Sequence, residues 1–154
     1  MLELDATDLL LLAALRQDSR LSLRDLGKKA SISAPSVASR LKRLEEAGII
    51  IGYTVQLAQS RFALDVEALI NISVPRALYP SLLHFADGSL NVISCLRLTG
   101  RFSHQIHAAF ADMKHLSQFV EELNERFGDT ETSLILSHEI PERQPLSTEN
   151  VKLQ

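Results

Sequence analysis

The chain of 154 residues contains no tryptophan, two tyrosines and one cysteine. With so few aromatics it has no stacking platform of the kind that binds single-stranded nucleic acid. A lone Cys95 excludes an internal disulfide. Together with the lack of a targeting signal, this points to a reducing cytosol. Cys95 lies in an apolar run and reads as packing. No stretch of 18 apolar residues occurs, so no membrane-spanning helix is expected. The most apolar segment, Leu9 to Leu15, is short. Asp5 and Asp8 precede it where a secretory signal would carry basic residues, so it reads as a buried helix.

What the chain does have is a local excess of positive charge. Its net charge is −3, yet between Arg20 and Arg43 stand seven Lys/Arg (Arg20, Arg24, Lys28, Lys29, Arg40, Lys42, Arg43) and one acid, Asp25. A basic island in an acidic chain marks a candidate nucleic-acid surface. From residue 61 onward there are eight basic and twelve acidic residues, and all five histidines. The two parts therefore carry different electrostatic jobs, and a boundary is expected near Ser60.

The island coincides with helix signals. Asp5 is a natural N-cap for a first helix reaching about Asp18. Ser22 caps a second, Leu23 to Ala30, with Leu23, Leu26 and Ala30 apolar. The turn Ser31-Ile32-Ser33 leads to a third, where Ser33 caps, Pro35 fits the first turn and Gly48 is a C′ stop. Val37, Leu41 and Leu44 form its buried stripe, while Ser36, Ser39, Arg40 and Arg43 project from the far side. Two short helices joined by so tight a turn have the spacing that a helix-turn-helix requires, where a lone helix of this kind would read as an ordinary solvated surface helix. Leu9, Leu12, Leu26, Ile32, Val37, Leu41 and Leu44 are the expected core of this winged or trihelical unit. Ser36, Ser39 and Arg40 are the expected base-edge contacts, since Arg pairs with guanine O6/N7. Arg24, Lys28, Lys29, Lys42 and Arg43 are the expected phosphate contacts, with Ser33 as cap and further phosphate contact.

Ile49 to Leu57 is β-branched and apolar and reads as a linker strand. Beyond it the pattern alternates. Strands are expected over 66–74, 90–99, 103–111 and 130–138, and helices over 76–87 and from Asp112 to Gly128. Pro80 implies that the first of these helices starts late or kinks. The order β-α-β-β-α-β is the ferredoxin-like arrangement, giving an α+β chain. The strand around Val92 has apolar residues of both parities (Val92, Leu96 and Leu98 against Ile93 and Cys95), which predicts a sheet covered on both faces, the second cover being another copy of the chain. The tail 141–154 is left unassigned.

In joint order and spacing, L-D-A-T-D at Leu4, L-R-Q-D-S-R-L-S at Leu15, D-L-G-K-K-A at Asp25, R-L-K-R-L-E-E-A-G-I-I at Arg40, G-Y-T at Gly52 and L-T-G at Leu98 resemble the Lrp/AsnC, or feast/famine, family of transcription regulators. The resemblance runs from Leu4 to about His138. It implies a DNA-binding domain over 1–60 and a ligand-binding, oligomerising domain over 61–140. It also implies homodimers that assemble further, often to octamers, a cytoplasmic, nucleoid-associated protein, and an amino-acid effector held between dimers. The family's T-G-D-x-D turn, which lines the effector pocket, corresponds to Thr99, Gly100, Arg101, Phe102, Ser103 and His104, where both acids are replaced. Thr132 and Ser133 match the family's hydroxyl-rich last strand.

An enzyme is the rival class. The histidines His104 and His107 have opposite parity on one strand and cannot converge, and no H-x-x-x-H, C-x-x-C or G-x-S-x-G motif occurs. Relatives of the family that act as haem-pathway decarboxylases carry a histidine–tyrosine segment with no clear match here. No catalytic role, metal or cofactor is expected. A DNA-binding architectural protein without an effector is the alternative that the altered turn keeps open.

Overall fold

The computed structural model describes residues 3–140, apart from 56 and 58. The tail after Ile140 lies outside the described residues. The chain divides into two compact units, meeting near residues 56 and 57.

The first unit contains α1 (Ala6–Gln17), α2 (Leu23–Ala30) and α3 (Ala34–Glu46). Each starts on the cap that its sequence offers. Asp5 and Asp8 form a reciprocal capping box, Ser22 accepts from the Asp25 amide, and Ser33 accepts from the Ser36 amide. Helix α3 ends at Gly48, whose φ of 67° is the left-handed conformation that favours glycine. The core is Leu11, Ala14, Leu26, Ala30, Val37, Leu41 and Leu44. Leu26, Val37, Leu41 and Leu44 are where the sequence places them. In α1 the phase differs: Leu11 and Ala14 are buried, Leu12 is partly buried, Leu9 is half-buried and Leu10 points out. Ile32 is likewise only partly buried, and Leu23 is exposed. A run of four leucines satisfies several helical phases, and packing against α2 and α3 selects one.

The α2–α3 turn depends on Gly27. A Cβ there would lie 2.6 Å from the Ile32 carbonyl oxygen, closer than atoms can approach. The Ile32 amide donates to the Gly27 carbonyl at 3.0 Å, and Ser31 turns the chain with φ 55°. Removing the side chain at Gly27 thus lets α3 fold back directly on α2.

Residues 49–55 and 57 do not form the expected strand. A strand needs a ladder partner, and none of the described residues pairs with them. Ile50 still packs against the helical core, while residues 51–55 and 57 are exposed, with Ile51 95% accessible. Tyr53 anchors the start of this segment by donating its hydroxyl to Glu45 at 2.8 Å.

The second unit is the βαββαβ sandwich foreseen: β1 (Val66–Ile72), α4 (Tyr79–Asp87), β2 (Val92–Arg97), β3 (His104–Phe110), α5 (Met113–Phe127) and β4 (Thr130–Leu134). The sheet order is β2-β3-β1-β4, with every neighbouring pair antiparallel. Helix α4 does start late: a 3-10 turn over Arg76–Leu78 precedes it, and Pro80 occupies its first turn. Strand β4 stops at Leu134, four residues short of expectation.

Alternation places Ala68, Ile70 and Ile72 of β1 opposite Ala108, Ile106 and His104 of β3 on the inner face. There Leu82, Leu116, Phe119, Leu123 and Phe127 of the helices cover them. Phe119 packs against Phe85 and Phe110 with ring centroids 5.3 and 5.2 Å apart. Burial of these rings together with the aliphatic side chains stabilises this unit.

The parity expected for β2 does not hold. A bulge between Val92 and Ser94 resets the register. Val92 pairs with Ala108 and Cys95 with Ile106, so both face inward, and both pack against the core. Leu96 pairs with Gln105 on the outer face, and Ile93 and Leu96 are exposed. Bulges are invisible to a simple even–odd count.

Candidate nucleic-acid interface

Helix α3 offers its amino-terminal turn to solvent: Ser33, Pro35, Ser36 and Ser39 are exposed. The Ser33 and Ser36 hydroxyls lie 2.9 Å apart, so each is oriented by the other. The free amides and dipole of the turn favour a negative partner. On α2, Arg24, Lys28 and Lys29 are exposed, as is Lys42 on α3. Lys28 stands 3.5 Å from Asp25 and Lys42 3.7 Å from Glu46, with all four side chains at least half accessible. Exposed pairs of this kind contribute about 0–1 kcal/mol and yield readily to a phosphate.

Arg40 and Arg43 are placed differently from the expectation. They reach back to α1. Arg40 Nη1 donates to Asp5 Oδ2 at 2.7 Å and to Asp8 Oδ1 at 2.8 Å. Arg43 Nη2 donates to Asp8 Oδ2 at 2.5 Å. Asp8 is fully buried and Arg40 only 28% exposed. The hydrogen bonds to Asp5 and Asp8 push the Arg40 pKa up. Burial raises the Asp5 carboxyl, but the Asp8 amide and Arg40 outweigh it and leave the pKa lowered. In this structure Arg40 is therefore an inter-helix tie rather than an outstretched base reader. Its partners stand 32 and 35 residues away, which no local pattern reveals.

The turn over residues 99–104, expected to line an effector pocket, is part solvent-facing, part structural. Thr99 and Gly100 are exposed, Arg101 is 80% accessible, and Phe102 and Ser103 are half-buried. Arg101 lies 3.6 Å from Glu131 and stacks over Phe102. The Ser103 hydroxyl accepts from the Val74 amide at 2.9 Å and lies 3.0 Å from His104 Nδ1. His104 is not available to a ligand: it faces the core, edge-on to Tyr79 at 4.7 Å between centroids. Burial, and then the nearby Arg97 charge, push its pKa down. Thr132 pairs with Ile70 and Ser133 with Leu69, so they lie on opposite faces of β4 and cannot line one pocket on the same side.

One cluster escaped the sequence reading. Glu67 accepts from His107 Nε2 at 2.5 Å and from His138 Nε2 at 2.9 Å on the outer sheet face. Burial raises the Glu67 carboxyl, but the bonds to His138 and His107 win and hold it below the ordinary range. Only strand alternation hinted at it, by sending Glu67 and His107 to the same face. Among the described residues no group of three or more His, Cys, Asp or Glu is arranged to hold a metal.

A three-helix unit with a helix-turn-helix and a basic outer edge, joined to a βαββαβ sandwich, defines a two-domain DNA-binding regulator class. A winged helix-turn-helix DNA-binding family matches residues 4–51, and the Lrp/AsnC ligand binding domain matches residues 67–145. The HTH-type transcriptional regulator LrpC of Bacillus subtilis is 30% identical over 136 residues, covering 88% of this chain and 94% of LrpC. The solved structure of B. subtilis LrpC superposes with a TM-score of 0.86, over 92% of this chain and all of that one. A regulator from Neisseria meningitidis, NMB0573, solved as its L-Met complex, is 29% identical with a TM-score of 0.87, over 95% and 97% of the two chains. This chain belongs to the Lrp/AsnC family of transcriptional regulators, a family of DNA-binding proteins and not of enzymes. No helix among the described residues is long and apolar enough to cross a membrane.

Proposed function

We propose that the chain is a sequence-specific DNA-binding transcriptional regulator whose assembly responds to a small metabolite of the amino-acid type. The observation that carries it is the exposed, capped start of α3, set against α2 by Gly27. Ser36 and Ser39 reach base edges in the major groove, and Arg24, Lys28, Lys29 and Lys42 contact phosphates, with Ser33 beside them. A homodimer, and assemblies of dimers beyond it, present two such helices to a pseudo-palindromic site. The exposed row Ile51, Tyr53, Val55 and Leu57 supports self-association: alternate residues, with no ladder partner among the described residues, put their apolar side chains in water.

The effector is proposed at the end of the sheet where Arg101, with Glu131 beside it, reaches solvent. NMB0573 was solved with L-Met, and Arg101 would pair with an effector carboxylate. A second reading, an architectural DNA-binding protein without an effector, is favoured by a turn whose polar groups are already satisfied within the fold: the Ser103 hydroxyl accepts from the Val74 amide and His104 is buried.

The test is selection of duplexes from a random library by the full chain, with and without each common amino acid. Enrichment of a two-half-site motif supports specific recognition, and Ser39→Ala should then weaken binding to it by about 0.5–1.5 kcal/mol, the loss of a single hydrogen bond. No enriched motif overturns it. An amino acid that changes the motif's affinity or the mass by light scattering identifies the effector. No response across the panel favours the architectural reading.

A further inference from the structure

The seven cations of the basic island are not equivalent. We infer that Asp5 and Asp8 are positioning residues that withhold Arg40 and Arg43 from DNA. The phosphate contacts then fall to α2 and Lys42, and α3 reads bases with hydroxyls. The inference rests on the DNA-binding reading above.

Three observations carry it. The two carboxylates cannot swing away, because each is also half of the capping box: the Asp8 amide donates to Asp5 Oδ1 at 2.8 Å and the Asp5 amide to Asp8 Oδ2 at 3.2 Å. The start of α1, where the helix dipole favours negative charge, fixes them further. Asp8 is fully buried, and both of its oxygens are taken by guanidiniums. An arginine leaving for a phosphate would strand a carboxylate in a dry site, the costliest way to break an ion pair. Lys28 and Lys42, whose acidic partners are exposed, face no such cost.

The clamp also joins α3 to α1. Arg40 and Arg43 lie one turn apart on α3 and converge on a single residue of α1, so they set the rotation of α3 about its own axis. That rotation decides which hydroxyls face the groove. Sequence counting overstates the charge available to DNA by these two arginines.

The test measures binding of the full chain to a mixed-sequence duplex by fluorescence anisotropy over a salt series. Each cation that neutralises a phosphate contributes about 0.9 to the slope of log affinity against log salt. Lys29→Gln should flatten the slope by that amount per protomer, and Arg40→Gln should not. Asp5→Asn keeps the cap, since Asn caps as well as Asp, but removes one charge from Arg40. It should steepen the slope and tighten mixed-sequence binding, while preference for a selected motif falls. A purely structural role for Asp5 would weaken both kinds of binding instead, and circular dichroism at the same temperature checks that α1 persists. An Arg40→Gln slope as flat as that of Lys29→Gln would overturn the inference, as would weaker mixed-sequence binding by a folded Asp5→Asn. Wild-type chain that binds no duplex even at low salt would overturn the DNA-binding reading itself, and this inference with it.

Discussion

Two buried polar side chains, one in each unit, solve the same problem in opposite ways. Asp8 in the helical unit and His104 in the sheet unit are both almost inaccessible to water. Asp8 sits between two guanidiniums, so its carboxylate is fully matched by positive donors. His104 has a serine hydroxyl, an aromatic edge and a cation, Arg97, nearby, and no acid, so its neutral form is favoured. Burial alone does not decide the charge of a side chain; its partners do. The first arrangement stiffens a surface built to meet another charged polymer. The second favours a neutral ring that resists protonation.

Removing the carboxylate breaks the comparison most severely. Asp8→Ala should cost about 2–3 kcal/mol, less than the 3–5 of a wholly buried pair because Arg40 and Arg43 can turn to water. Urea unfolding followed by circular dichroism measures it, and a change below about 0.5 kcal/mol would show that the clamp does not hold α1 to α3.

The histidine gives a smaller effect with a definite sign. Its folded pKa lies below the ordinary value of 6.5, so the unfolded chain binds the proton more readily. Stability contributed by a neutral His104 is complete above that value and is lost as pH falls through it towards the folded pKa. Thermal midpoints should therefore fall between pH 7 and pH 5, and the fall should be shallower in His104→Gln. Glu67 acts in a separate, more acidic window. Its folded pKa is lowered, so its contribution is full above the ordinary carboxylate range and is lost below it. Equal slopes for wild type and His104→Gln between pH 7 and 5 would remove His104 as the titrating group.

The smallest effect sharpens the contrast with an exposed pair. Arg101→Ala breaks a 3.6 Å contact to Glu131 in which both side chains are more than half accessible. Stability should change by less than about 0.5 kcal/mol. A larger loss would mean that the turn over residues 99–104 is held by this pair rather than by the Ser73 hydroxyl, which donates to the Arg101 carbonyl at 2.9 Å, and by Ser103, which accepts from the Val74 amide.

The caps were readable from the sequence because capping is local: Asp5, Ser22, Ser33 and Asp112 all start the helices assigned to them. The βαββαβ order was readable because each element has its own period. Three features were not. The clamp joins residues far apart in the chain. The inward placement of Val92 and Cys95 depends on one inserted residue. Ile49 to Leu57 has strand composition, yet none of the described residues pairs with its described part, and composition says nothing about partners. Gly27 did leave a trace: a glycine inside a short helix is costly unless its missing side chain is needed. Of the candidate site, the hydroxyls and lysines stand exposed as expected, while Arg40, Arg43 and His104 are engaged in holding the fold.

The bulge in β2 has a further bearing on how copies of this chain meet. Strand β2 is at one margin of the sheet, and a straight margin invites any other extended segment to add on, which leads to open-ended stacking. With an unpaired residue at Ile93, the margin is bent and its row of free amides and carbonyls is out of step. For the closed assembly of dimers proposed above, such an irregularity disfavours open-ended strand addition at the β2 margin.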